Sequence, residues 1–209
     1  LVIKPINGGK GYGVQFIKRR NKINYIGSDI FSDRQLLNYI KNKHNYACYN
    51  FIDQHEKLSS IYSKSINTIR LNSFNINGKI IIIAVLRIGN SSSEPYDNFS
   101  QGGMVSLINI DSGVLSDAII SDRSNKLKRY THHPDTNVKI VGQIIPFWNN
   151  IVRKIKIFLN KYPFFEYVGW DILIGNTGFY MIEGNHNPDL DLIQVHYPLL
   201  KNKDIKRFF

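Results

Sequence analysis

Glu166 to Asn185 reads EYVGWDILIGNTGFYMIEGN. Two apolar runs flank Asn176-Thr177-Gly178, so the stretch predicts a β-hairpin. Asp171 falls on the first strand, and Glu183 and Asn185 end the second. Strand side chains alternate between faces, so loop length decides whether the three meet. A three-residue loop closing on Gly178, the residue best suited to a left-handed position, sets residue 175 against 179 and Asp171 against Glu183. Asn185 then shares that face. A two- or four-residue loop instead sends Asp171 and Glu183 to opposite faces. The glycine favours the three-residue loop. Two carboxylates and an amide oxygen on one face suit Mg²⁺, which prefers hard oxygen ligands. A solvated strand end can carry the same three residues by chance.

The segments upstream give these residues a context. Asn149 to Tyr162 has Ile151, Val152, Ile155, Phe158 and Leu159 at helical spacing, opposite a basic side, and Pro163 ends it. Thr68–Phe74 and Lys79–Ile88 bracket Asn77-Gly78, a strong hairpin signal. With those two residues as the loop, position 70 pairs with 85, and Arg70 and Arg87 project from one face of an apolar hairpin. Met104–Ile110 and Val114–Ile120 bracket a further turn closing on Gly113. Between them, Gly89 to Gly103 is a Ser-, Asn- and Gly-rich loop that contains Asn98. Asp122 to Asn137 is polar and carries His132-His133; neighbours on a loop are not expected to share a zinc ion.

The chain starts on a strand, Leu1–Lys4, followed by Gly8, Gly9, Gly11 and Gly13 within six residues. Glycine-rich backbone near a lysine is one way to hold phosphates. The stretch is neither a Walker loop nor G-x-G-x-x-G, and a flexible hairpin loop fits it equally well. Strands Val14–Lys18 and Ile23–Ile26 follow, then a helix over Ser32–Lys43 with Ser32 and Gln35 as a capping box. Tyr46–Asp53 reads as a strand running into a linker, and Gln54–Ser65 as polar and aperiodic.

The 209 residues, 43% hydrophobic, suffice for one large domain or two small lobes. The net charge of +11 is spread through a chain rich in Lys, Asn, Ile and Tyr, so it does not single out a nucleic-acid partner. Cys48 stands alone, which rules out an intrachain disulfide and suggests a reducing, cytoplasmic setting. We expect it buried in its strand. The longest apolar run, Ile80–Leu86, is too short to span a membrane, and no signal peptide is visible.

Seven short motifs, in order, resemble the ATP-grasp superfamily, and in particular its sugar-transfer-associated group. They are Val2-Ile3-Lys4-Pro5 with Gly8–Gly13; Asn67-Thr68-Ile69-Arg70; Asp97-Asn98-Phe99 with Gly102-Gly103; His133-Pro134-Asp135-Thr136; Gly142–Trp148; Val168-Gly169-Trp170-Asp171; and Ile182-Glu183-Gly184-Asn185 with Pro188. The resemblance implies an α+β fold whose two lobes, 1–53 and 54–209, have mainly antiparallel sheets and grip ATP between them. It implies that Lys4 and the glycine flap contact the nucleotide, and that residues 49 to 53, including Asn50, Phe51, Ile52 and Asp53, read adenine. The family's usual acidic residue there is not evident, since the positions read Tyr49-Asn50. Asp171, Glu183 and Asn185 would hold Mg²⁺. Arg70 and Arg87 would clamp a carboxylate or acyl phosphate, and Asn98 and His133 would meet substrate.

The implied reaction is ATP-dependent joining of a carboxylate to an amine or thiol, in polysaccharide or peptide-like metabolite synthesis. A small-molecule kinase and a non-catalytic nucleotide- or nucleic-acid-binding module are the alternatives. The resemblance implies a preceding N-terminal domain, so these residues are expected to be a fragment or to work with a separate upstream piece.

Overall fold

The computed structural model describes residues 1–7, 13–121 and 126–208. It divides into two compact units, Leu1–Ile52 and Asp53–Phe209. Among the described residues every paired strand is antiparallel, and each unit is built on one sheet.

The N-terminal unit comprises β1 (Val2–Pro5), β2 (Gln15–Arg20), β3 (Ile23–Ile26), β4 (Asp29–Phe31), helix α1 (Asp33–Lys41) and β5 (Tyr46–Tyr49). The sheet order is β4-β3-β2-β1-β5. Asn21 and Lys22 both have positive φ, so the turn is two residues long and Arg19 and Arg20 belong to β2. The capping box forms, with Gln35 N donating to Ser32 Oγ and Ser32 N donating to Gln35 Oε1. Leu36 packs with Ile3, Ile17 and Ile26 on one sheet face. Cys48 is exposed, contrary to expectation. It lies on β5, an edge strand, where a neighbour covers only one side.

The C-terminal unit comprises α2 (Glu56–Ile61), β6 (Ile69–Ile76), β7 (Lys79–Ile88), β8 (Met104–Ile108), β9 (Leu115–Ser121), β10 (Leu127–Tyr130), α3 (Trp148–Lys161), β11 (Tyr167–Gly175), β12 (Gly178–His186) and α4 (Asp191–Gln194). Its sheet order is β10-β9-β8-β7-β6-β11-β12. One face packs Leu71, Leu86, Val168, Trp170 and Ile172 against Leu58 and Ile61 of α2 and Ile151, Ile155 and Leu159 of α3. The other packs Phe74, Val85, Val105 and Tyr167 against Ile193 of α4 and the C-terminal Leu199 and Ile205. Among the described residues no helix is long and apolar enough to cross a membrane.

The two decisive hairpins close differently. Asn77 and Gly78 have φ of 50° and 86°, the two-residue turn that matches strand twist, and Arg70 pairs with Val85 as the sequence suggests. The β11–β12 loop is not the three-residue loop expected from Gly178. Gly175 pairs with Gly178 across Asn176-Thr177, and Gly178 is not left-handed. By itself this register sends Asp171 and Glu183 to opposite faces. A bulge then intervenes: Ile172 pairs with Met181 but Asp171 pairs with Glu183, so Ile182 is the extra residue. The bulge restores the shared face that the turn alone destroys.

His196 follows α4 and places Nε2 2.9 Å from the Val105 carbonyl oxygen. Burial lowers its pKa, outweighing the Val105 carbonyl and Asp117, which act to raise it. Such a histidine takes up a proton on unfolding below its ordinary pKa of about 6.5, so its contribution to stability falls as the pH falls through that value. The melting temperature of wild type minus that of His196→Gln should therefore shrink between pH 7.5 and pH 5. A difference independent of pH would show that His196 does not titrate this way.

Candidate active site

Alternation on four adjacent strands builds the site. Glu183, Asp171, Arg70 and Val85 form one cross-strand row over β12, β11, β6 and β7. Arg87, two residues beyond Val85, enters from the neighbouring row. Asp171 receives both arginines. Arg70 donates through Nε to Oδ1 at 2.5 Å and through Nη2 to Oδ2 at 3.2 Å. Arg87 Nη2 lies 3.3 Å from Oδ2.

Arg87 is held from behind by residues that carried no assigned role. Thr68 Oγ1 accepts from Arg87 Nε at 2.9 Å, and Asp97 Oδ2 lies 3.5 Å from that nitrogen. The same Asp97 oxygen accepts from the Thr68 amide at 2.9 Å and from its hydroxyl. Arg87, Asp97 and Asp171 are each 8% exposed. Burial works to lower the Arg87 pKa, but Asp97, Asp171 and Glu183 outweigh it and hold the guanidinium above its ordinary value. Two arginines and two carboxylates thus balance in charge, with exposed Glu183 at the margin. Asp97 gave little sequence signal because it sits in an aperiodic loop.

Asn185 faces Gly169 on the same hairpin, and its Nδ2 approaches the Gly169 carbonyl at 3.5 Å. That orientation leaves its amide oxygen free for a cation. A Cβ on Gly169 would lie 2.5 Å from Pro188, so glycine is required where the segment after β12 folds back. Each carboxylate oxygen offers two lone pairs, and Asp171 Oδ1 uses one on Arg70. Asp171, Glu183 and Asn185 therefore fit a hard cation such as Mg²⁺ as donors. Among the described residues no three His, Cys, Asp or Glu side chains group as a metal site, so the set depends on the Asn185 amide.

His133 is buried against Tyr62, with Nε2 2.8 Å from the Gly89 carbonyl and Nδ1 accepting from the Asp135 and Thr136 amides. Both ring nitrogens are engaged inside the protein, so the ring has a structural part in this loop cluster. Asn98 is half-buried and donates to Gln101 at 3.3 Å.

In the N-terminal unit, Lys4 places Nζ 4.9 Å over the Tyr49 ring, on the sheet face opposite α1. Asn50 and Phe51 follow the end of β5 and are exposed, and Ile52 is half-buried. Gly13 has φ +74°, and a Cβ there would lie 2.8 Å from Pro5. The Gly8, Gly9 and Gly11 expectations fall outside the described residues. Asp53 is exposed at the start of the C-terminal unit.

A family model described as sugar-transfer associated ATP-grasp matches residues 1–206. The chain belongs to this ATP-grasp family. No curated protein and no solved structure matches it. Membership accounts for the two antiparallel sheets with few helices and makes ATP the expected nucleotide.

Removing Asp97 leaves Arg87 buried with half its counter-charge. Asp97→Ala should lower the unfolding free energy by about 3 kcal/mol in a urea titration. A loss under about 0.5 kcal/mol would show that Arg87 is held by Thr68 and Asp171 alone.

Proposed function

We propose that this ATP-grasp protein is an ATP- and Mg²⁺-dependent ligase joining a small-molecule carboxylate to an amine or thiol through an acyl phosphate. The convergence of Arg70 and Arg87 on the row that carries Asp171 and Glu183 is the observation that carries the reading. Arginine is always charged and matches planar carboxylates and phosphates with paired donors. Phosphoryl transfer needs positioning and charge stabilisation more than covalent help from protein.

In this reading a carboxylate oxygen of the substrate attacks the γ-phosphorus of ATP, and the bond to the ADP oxygen breaks. The amine then attacks the acyl carbon, phosphate leaves, and the amine gives up a proton. Arg70 and Arg87 orient the carboxylate and stabilise the charge on the acyl phosphate. Asp171, Glu183 and the Asn185 amide oxygen would hold Mg²⁺, which when bound offsets phosphate charge. Lys4, Gly13 and the backbone of residues 49 to 53 are assigned to the nucleotide, on the strength of the family resemblance. The sugar-transfer wording of the family description supports a setting in polysaccharide synthesis; peptide-like metabolite synthesis is the other setting of this reading.

Asp171→Asn and Glu183→Gln should each abolish Mg²⁺-dependent ADP release that requires both an acid and an amine. Glu183→Gln should keep its fold, as judged by circular dichroism, while Asp171→Asn also removes counter-charge from both arginines and should lose stability without unfolding. ATP with Mg²⁺ should raise the wild-type melting temperature by mass action. Full turnover in both variants would remove the metal assignment, and no thermal shift with ATP or ADP would remove the nucleotide.

A further inference from the structure

A cleft of about 1200 Å³ opens in the C-terminal unit beside Arg70 and Arg87. It exceeds the roughly 300–1,000 Å³ usual for small-molecule sites, and its walls are unlike the mainly apolar lining of such sites. The loop Asn90–Gly102 forms one side, the ends of β9 and β10 another, and α4 a third. Ser92, Ser100, Ser121 and Gln194 line it, and none of these side chains hydrogen-bonds to another described residue. The Gln101 amide nitrogen is likewise without a described partner. Phe99 and Tyr130 add ring surface. Hydroxyls and amides both donate and accept, so this lining can match a ligand's hydroxyl groups in either sense.

The arginine end differs. Arg70 uses Nε and Nη2 on Asp171, and Arg87 uses Nε and Nη2 on Thr68, Asp97 and Asp171. The Nη1 group of each has no partner among the described residues, although both arginines line the cleft. Two guanidinium nitrogens are therefore left for an anion, in a space whose other polar lining is hydroxyls, amides and the carboxylates of Asp135, Asp189 and Asp191.

We propose that this cleft binds a polyhydroxylated carboxylate, a uronic-acid type of sugar, with its carboxylate on Nη1 of Arg70 and Arg87 and its hydroxyls on the Ser92, Ser100, Gln101 and Gln194 side. The ring faces Phe99 and Tyr130 through its C–H surface. This rests on the ligase reading only in naming the sugar as the acid to be activated; the cleft and its chemistry stand apart from nucleotide binding. Hydrogen-bonding walls reject a ligand that leaves them unpaired, so a plain alkyl acid fits poorly.

Saturation-transfer NMR on the full chain, with sodium glucuronate, glucose and hexanoate as probes, tests this. Glucuronate should bind at least about tenfold more tightly than either glucose or hexanoate. Ser100→Trp on the exposed rim should weaken glucuronate by a similar factor while leaving the melting temperature intact. Gln101→Ala is the milder second variant and should weaken it several-fold. Equal binding of hexanoate or glucose, no binding of any probe, or no effect of both variants overturns the proposal. The ATP·Mg²⁺ thermal shift is measured on the same preparation. A normal shift without glucuronate binding sinks the cleft assignment alone, whereas glucuronate binding without a shift sinks the nucleotide reading and leaves the cleft.

Discussion

A charge buried on a sheet face must be paired, and here the pairing falls to Asp171. Two arginines reach the same face of β6 and β7, one of them almost wholly buried. An unpaired guanidinium there would cost several kcal/mol, by order of magnitude. Asp171 offers both oxygens to Arg70 and one to Arg87, while Asp97 balances Arg87 from the opposite side. This demands that β11 lie beside β6 in one particular register. A slip of one residue would turn Asp171 onto the apolar core face in place of Trp170 and Ile172 and leave both arginines without their shared carboxylate. The ion pairs and the sheet register therefore specify each other.

That coupling marks what was legible in the sequence. Asn77-Gly78 dictated its own turn, because both residues accept positive φ, and the Arg70–Arg87 relation followed by counting. The capping box and the α3 stripe were equally local and equally readable. The β11–β12 hairpin was not. Its partners were identified, but the true turn is shorter and Ile182 takes up the difference in a bulge. A bulge leaves no distinct residue signature, since its position is set by the strand it must satisfy. Asp171 is already fixed by the pairing of β11 with β6, and the bulge acts on β12, turning Glu183 and Asn185 onto the Asp171 face.

Residues outside regular periodicity were the other blind spot. Gln54–Ser65 read as featureless, yet α2 buries Leu58 and Ile61, and Asn67 ties it down by donating to the Leu58 and Tyr62 carbonyls. His133 stacks on Tyr62 and bonds to Gly89, and Asn67 accepts from the Gly89 amide. Asp97 joins this assembly through Thr68. Four motifs distant in sequence thus converge on the rear of Arg87. Each is polar, loop-borne and short, and its sense lies in long-range contacts that composition and spacing do not encode.

The same arrangement weighs on the choice between ligase and kinase. Phosphorylating a hydroxyl calls for a base to take its proton, whereas an ionised carboxylate attacks without one. The carboxylates nearest the arginines, Asp97 and Asp171, are both held by guanidiniums and hydrogen-bond donors. Both are thus already engaged by donors of the protein itself. Of the three other acids lining the cleft, Asp135 accepts from the Ser91 amide and hydroxyl, Asp189 accepts from the Asp191 amide, and Asp191 stands in the first turn of α4. Two guanidiniums with nitrogens left over suit a substrate that is already an anion. The arginine pair is therefore the feature on which the proposed activation of an acid, rather than an alcohol, depends.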